Sequence, residues 1–146
     1  MPFCSSNLVS LMPPPTDRTG FSIPVTAQTA DIDELGHVNN AVYLRWIQDV
    51  ATAHWHALAR PEDVARYVWV VTRHEIDYRR PTLDGETLTL TTWVGTPKGA
   101  RFDRFVEVAD AAGRVRVDAL TIWALIDRVS GRALRVPAEV AAPFVR

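Results

Sequence analysis

Residues 31–58 read DIDELGHVNNAVYLRWIQDVATAHWHAL, a polar run that empties into a helical apolar pattern, and the place of that switch decides the fold. Val42, Trp46, Ile47, Val50, Ala53, His54, Ala57 and Leu58 recur at spacings of three and four, which makes one broad apolar face. Asn39 or Asn40 is suited to cap its start, and the pattern stops near Arg60 and Pro61. The expected helix is about 19 residues long, roughly 28 Å at 1.5 Å per residue. No other stretch predicts a helix of comparable length. Upstream, no period is sustained from Ala30 to Asn39, and Gly36 breaks the turn that would bring Asp33 and His37 together on a helix, so this segment is a loop.

Working outward, FSIPVTAQT (21–29) is rich in β-favouring residues and predicts a strand, with Pro24 marking an edge position or a bulge. On the other side, PEDVARY reads as a short polar turn. Four strand-like segments follow, 68–80, 87–96, 101–109 and 114–128. They are joined by LDGE, PKG and DAAG, connections too short for a parallel crossover, so the strands form an antiparallel meander. The denser apolar run VRVDALTIWALID predicts the last strand to be the central one, and 137–144 could add a short terminal helix. These elements make a single α+β domain over 21–146, preceded by a flexible tail over 1–20. One helix can cover one face of five strands. The other face and the sheet edges then call for self-association, at least a dimer.

Composition narrows the partners. The chain has 146 residues, 47% of them apolar and 23% charged, with a formal net charge of −1, which offers no global attraction to nucleic acid or to a membrane surface. Cys4 is the only cysteine, so an intrachain disulfide and a cysteine cluster for metal are excluded, and a cytoplasmic location fits. No run reaches the ~18 apolar residues of a membrane span.

Chemistry concentrates in the loop. A carboxylate just before a helix start, Asp33, can act as general base on water or attack a carbonyl, although Asp and Asn also occur there simply as caps and turn formers. Asp31 is assigned to holding the loop. His37 is either a proton-transfer or orienting group or a hydrogen-bonded structural one. Asn39 and Asn40 read as cap and scaffold or as amide donors, and the helix N–H groups near Asn40 are candidates for stabilising an oxyanion. Metal binding is disfavoured, because His54 and His56 stand two apart on the helix and point to different faces. No phosphate-binding glycine loop or serine nucleophile elbow is present, and no cofactor is called for. Lys98, Arg101 and Arg104 near the PKG turn could meet the phosphates of a nucleotide-bearing substrate; Arg79 and Arg80 form a second, weaker basic candidate.

The loop DIDELGHVNN with AVYLRW, followed by HEIDYRRPTLDGETLTLTTWV, resembles the hotdog-fold acyl-CoA thioesterases of the hydroxybenzoyl-CoA thioesterase group. Its HVNN segment is also similar to that of acyl-ACP thioesterases, which carry an asparagine where Leu35 stands here. The resemblance implies a hotdog fold, a long central helix on a five-stranded antiparallel sheet, and an acyl-CoA (or acyl-ACP) hydrolase acting as a homodimer or homotetramer. It implies Asp33 as the catalytic carboxylate, a backbone N–H at Asn40 that polarises the thioester, and a part for His37. Asn39 and Tyr43 are then expected among the substrate contacts, and Lys98 and Arg101 at the nucleotide. Related hydratases space their aspartate and histidine as D-x-N-x-x-H. Here three residues separate Asp33 from His37 and five separate Asp31 from it, so hydration is the less favoured chemistry. A non-catalytic module that binds acyl thioesters or a protein partner is the rival from a different class.

Overall fold

A computed structural model describes residues 19–145. The expected tail therefore lies outside the described residues, apart from Thr19 and Gly20. Strand β1 (Phe21–Thr26) leads through a 3-10 turn (Thr29–Asp31) and the loop into helix α1 (Asn40–Leu58). Helix α2 (Pro61–Arg66) follows, then strands β2 (Tyr67–Tyr78), β3 (Thr87–Val94), β4 (Arg101–Ala109) and β5 (Val115–Asp127), then helix α3 (Ala138–Ala141) and a closing 3-10 turn (Ala142–Phe144). The five strands form one antiparallel sheet in the order β1-β3-β4-β5-β2. The expected α+β architecture, one long helix on this sheet, is the one observed.

The differences have local causes. PEDVAR is a helix rather than a polar turn: Pro61 occupies its first turn, Glu62 and Asp63 complement the helix dipole there, and Arg60 clamps Asp63 through Nε and Nη2 at 2.8 and 2.9 Å. Strand β2 stops two residues early because the Arg79 and Arg80 N–H groups both turn to the Arg116 carbonyl, at 2.9 and 3.1 Å. The last strand, β5, is not the central one as expected: it is interior, between β4 and β2, and β4 holds the middle of the sheet. The buried face of α1 is rotated slightly from the expected one: Tyr43 and Ala51 join Trp46, Ile47, Val50 and His54, while Ala57 is exposed.

The core lies between α1 and the inner face of the sheet. Near the start of α1, Trp46, Ile47 and Val50 pack on Leu88, Leu90, Val106, Val108 and Val117. Near its end, Tyr67, Phe102, Leu125, Val140 and Phe144 form a second cluster, against which Trp55 and Leu58 pack. Each large apolar side chain buried this way stabilises by about 1.5–3 kcal/mol. The two clusters clamp the helix at both ends, which fixes where its N-terminus points.

Candidate active site

The loop is folded by its own backbone. Ile32 and Val38 pair as an antiparallel bridge, Val38 N–H also donates to Thr82 O at 2.8 Å, and Asp33 N–H donates to His37 O at 2.8 Å. Gly36 turns the tip with φ 81°, a left-handed conformation that side chains rarely adopt. At its base, Asp31 is only 6% exposed. Its Oδ2 accepts from Gln28 N–H and its Oδ1 from Arg45 Nη2, both at 2.9 Å, while its carbonyl accepts from Asn39 N–H. Burial raises its carboxyl, but those donors and the Arg45 charge outweigh it and hold the group below the usual carboxylate range. Asp31 is thus a fastener, with both oxygens committed.

Asp33 is held differently. Its Oδ1 accepts from the Leu35 and His37 N–H groups at 2.9 and 3.3 Å, whereas Oδ2 has no partner among the described residues. Asn39 caps α1: its Oδ1 accepts from Ala41 N–H at 2.9 Å and its carbonyl from Val42 N–H. The Asn40 N–H, at the first helical residue, is left with no acceptor among the described residues, as expected for a helix start.

These groups line one cleft of about 370 Å³, walled by Asp33, Leu35, His37, Asn39, Asn40 and Tyr43 from the loop and helix and by Tyr78, Arg79, Arg80 and Pro81 from the end of β2. Tyr43 is 2% exposed, in edge contact with Trp46 and Tyr78 at 5.3 and 5.8 Å; burial pushes its phenol up against the opposing pull of Thr82. Tyr78 Oη donates to Asn40 O at 3.4 Å, tying the strand end to the helix start. Residues 27–144 match the profile of the thioesterase-like superfamily. This chain belongs to that superfamily.

Two curated relatives are similar to it. The long-chain acyl-CoA thioesterase FadM of Escherichia coli K12 is 29% identical over 115 residues, covering 75% of this chain and 85% of that protein. The chloroplastic acyl-[acyl-carrier-protein] hydrolase FATB3 of Cuphea viscosissima is 26% identical over 120 residues, covering 81% of this chain. The chain spans only 29% of the plant enzyme's length. Among solved structures, the E. coli protein YbaW, described as a probable thioesterase, superposes with a TM-score of 0.76 at 25% identity, covering 86% of this chain and 98% of that one.

Set against the sequence expectations, the structure gathers Asp33, His37, Asn39, Asn40 and Tyr43 in one cleft but not Lys98 and Arg101. Thr26 pairs with Thr87, so the loop after β1 sits at the start of β3, whereas the Lys98 hairpin lies beyond its far end, where Val136 N–H and Leu125 N–H close on Gly99 O and Ala100 O. Eight residues of strand put about 26 Å between the two ends. Arg101 is instead paired with Asp103 at 2.9 Å. The cations that do reach the cleft are the second candidates, Arg79 and Arg80. Arg79 is paired with Asp118 at 2.9 Å, while Arg80 forms no ion pair with a described residue. Tyr78 was missed, because its place depends on how β2 pairs with β5, and no local signal carries that.

Proposed function

We propose that the chain is an acyl-CoA thioester hydrolase that uses Asp33 as its base in the cleft at the start of α1. The observation that carries this is the asymmetry of Asp33: one carboxylate oxygen is anchored by two backbone N–H groups, and the other has no partner among the described residues, in a cleft that Asn40 at the helix start also lines. In the proposed reaction Oδ2 takes a proton from water as the water oxygen attacks the thioester carbon. The carbonyl oxygen, now negative, accepts from Asn40 N–H at the positive end of α1. Collapse breaks the C–S bond, and the proton held by Asp33 passes to the departing thiolate, giving free acid and CoA. His37 borders the same space and orients the thioester. Arg80 supplies a positive charge at the rim for the carrier. The acyl-CoA relative at 29% identity supports the CoA carrier.

The cleft is completed in this proposal by a second copy of the chain. Strand β2 is 12 residues long and forms an open edge of the sheet, with Val70 and Tyr78 exposed on it. Antiparallel pairing of two such edges sets the end of one β2 beside the start of the other. That brings the partner's Lys98 and the partner's Arg101 to the end of the molecule where Asp33 stands. The expected carrier contacts then come from across the interface.

Replacing Asp33 by Asn keeps an acceptor oxygen for the loop but removes the base, and CoA release from a panel of acyl-CoAs is expected to fall at least ~10²-fold. Unchanged release overturns the assignment. A second carrier, acyl-ACP, is favoured by the Cuphea relative, and turnover of matched acyl-CoA and acyl-ACP substrates separates the two.

A further inference from the structure

A second cavity, of about 240 Å³, lies on the other side of α1's length from the Asp33 cleft, and no step above uses it. Its walls are aromatic, including Trp55, Tyr67, Trp69, Phe102, Trp123 and Phe144. Trp55 meets Trp69 edge-on at 5.6 Å and stacks on Phe144 at 5.7 Å, so the walls are braced by one another. Ala51 is the first residue of α1 on this cavity and Tyr43 the last on the cleft. Eight residues of helix separate them by roughly 12 Å.

This chamber is also lined by Arg104, a cation with no ion-pair partner among the described residues. Arg104 is 8% exposed, and its Nη1 donates to Thr92 Oγ1 and His54 Nδ1, both at 2.9 Å; both acceptors are neutral. Thr92 in turn donates to Phe105 O at 2.8 Å. Arginine has no acceptor atom, so His54 Nδ1 must be the unprotonated nitrogen and Nε2 carries the hydrogen. No other bond to the guanidinium is formed by a described residue, and Nε and Nη2 are left for whatever enters. The Trp123 indole N–H, in the same wall, is buried without an acceptor among the described residues. Of the other charged residues at the cavity, Asp103 is engaged by Arg101, while His56 and Arg128 are exposed. An isolated buried charge and a buried orphan donor are each costly, and one ligand atom set would relieve both.

We propose that this cavity binds the anion of a small apolar carboxylic acid, the carboxylate received by Arg104 and Trp123 and the carbon body held between the aromatic walls. A carboxylate presents two oxygens to a guanidinium fork, which a neutral amide does not match, and charge-assisted pairs of this kind are about twice as strong as neutral ones. A dry cavity of ~150 Å³ admits a benzene ring, so this one has room for a ring or a short chain together with its carboxylate. Burial holds the Arg104 guanidinium down to about 10, still charged at neutral pH, and the bound anion would reverse that shift.

The test is calorimetric titration of the whole chain with benzoate and hexanoate, each beside its amide. At least one acid is expected to bind once per chain, at least ~10-fold tighter than its amide, the scale of a charge-assisted bond over a neutral one. Arg104→Met is expected to lose that factor and Trp123→Phe to lose several-fold. Asp33→Asn, in the other cleft, is expected to bind unchanged. Failure of both acids at millimolar concentration overturns the proposal, as does equal binding of acid and amide. Loss of binding in Asp33→Asn moves the ligand to the first cleft and overturns it as well. Should Arg104→Met fail to fold, Trp123→Phe decides, and undiminished affinity there refutes the site.

Discussion

At the scale of single residues, His54 shows how burial sets a protonation state. It is fully buried, stacked on Phe21 at 5.1 Å and met edge-on by Phe144 at 4.8 Å, with Arg104 against Nδ1. Desolvation, then the Arg104 charge, lowers it from 6.5 to about 3. The unfolded chain therefore binds a proton that the folded chain refuses between those values, so stability rises with pH through that window. The contribution is complete above about pH 6.5 and is lost as the pH falls toward 3. His74, lowered by its own burial, adds in the same direction. Urea midpoints are expected to stay nearly level from pH 7.5 to about 6.5 and to drop from there toward pH 5, and His54→Asn is expected to flatten that slope. A slope unaltered by the substitution would show that other groups carry it. Asp31 adds a further acid loss from pH 3.8 downward, since its lowered carboxyl stabilises above that unfolded value and ceases to as it protonates.

At the scale of elements, the start of α1 carries both structure and chemistry. Asn39 satisfies Ala41 N–H, and truncating it to Ala is expected to cost about 1 kcal/mol of unfolding free energy, with Asn39→Asp nearly neutral. Thermal or urea denaturation measures this, and a null effect of Asn39→Ala would show that the clamps on the helix body, not its cap, hold it in place. The helix was legible from the chain because 19 residues give the 3.6-residue period time to declare itself; six residues of α2 do not, and only its proline and acidic first turn signalled it. Strand β1, expected to run to Thr29, ends at Thr26, where the chain turns into the 3-10 turn, whereas the four strands of the meander were legible to within two residues, since glycine turns bound them. For the same reason the contiguous half of the cleft, Asp33 to Tyr43, could be found in advance. Its other half, Tyr78 to Pro81, arrives through strand pairing. Lys98 and Arg101 were assigned to the site without knowing that β1 pairs β3, a pairing that sends the hairpin to the opposite end.

At the scale of the whole molecule, the two open edges, β1 and β2, are unequal. Strand β1 is six residues long and carries Pro24, a poor template for pairing, whereas β2 has twice its length. Light scattering at tens of micromolar is expected to give twice the chain mass of 16.3 kDa. A monomer that still hydrolyses acyl-CoA would remove the need for a composite cleft.

The His54–Arg104–Thr92 cluster has a consequence for how the chain finds its partners during folding. Side chains alternate across a sheet with a period of two, so a slip of β4 by one residue against β3 would carry Arg104 to the outer face. Oily neighbours such as Phe105 and Val106 could exchange places at modest expense. The cluster could not: Thr92 Oγ1 and His54 Nδ1 would be sealed in without their donor. A polar group buried among hydrocarbon thereby acts as an alignment key, admitting one pairing of the central strands and rejecting its near neighbours.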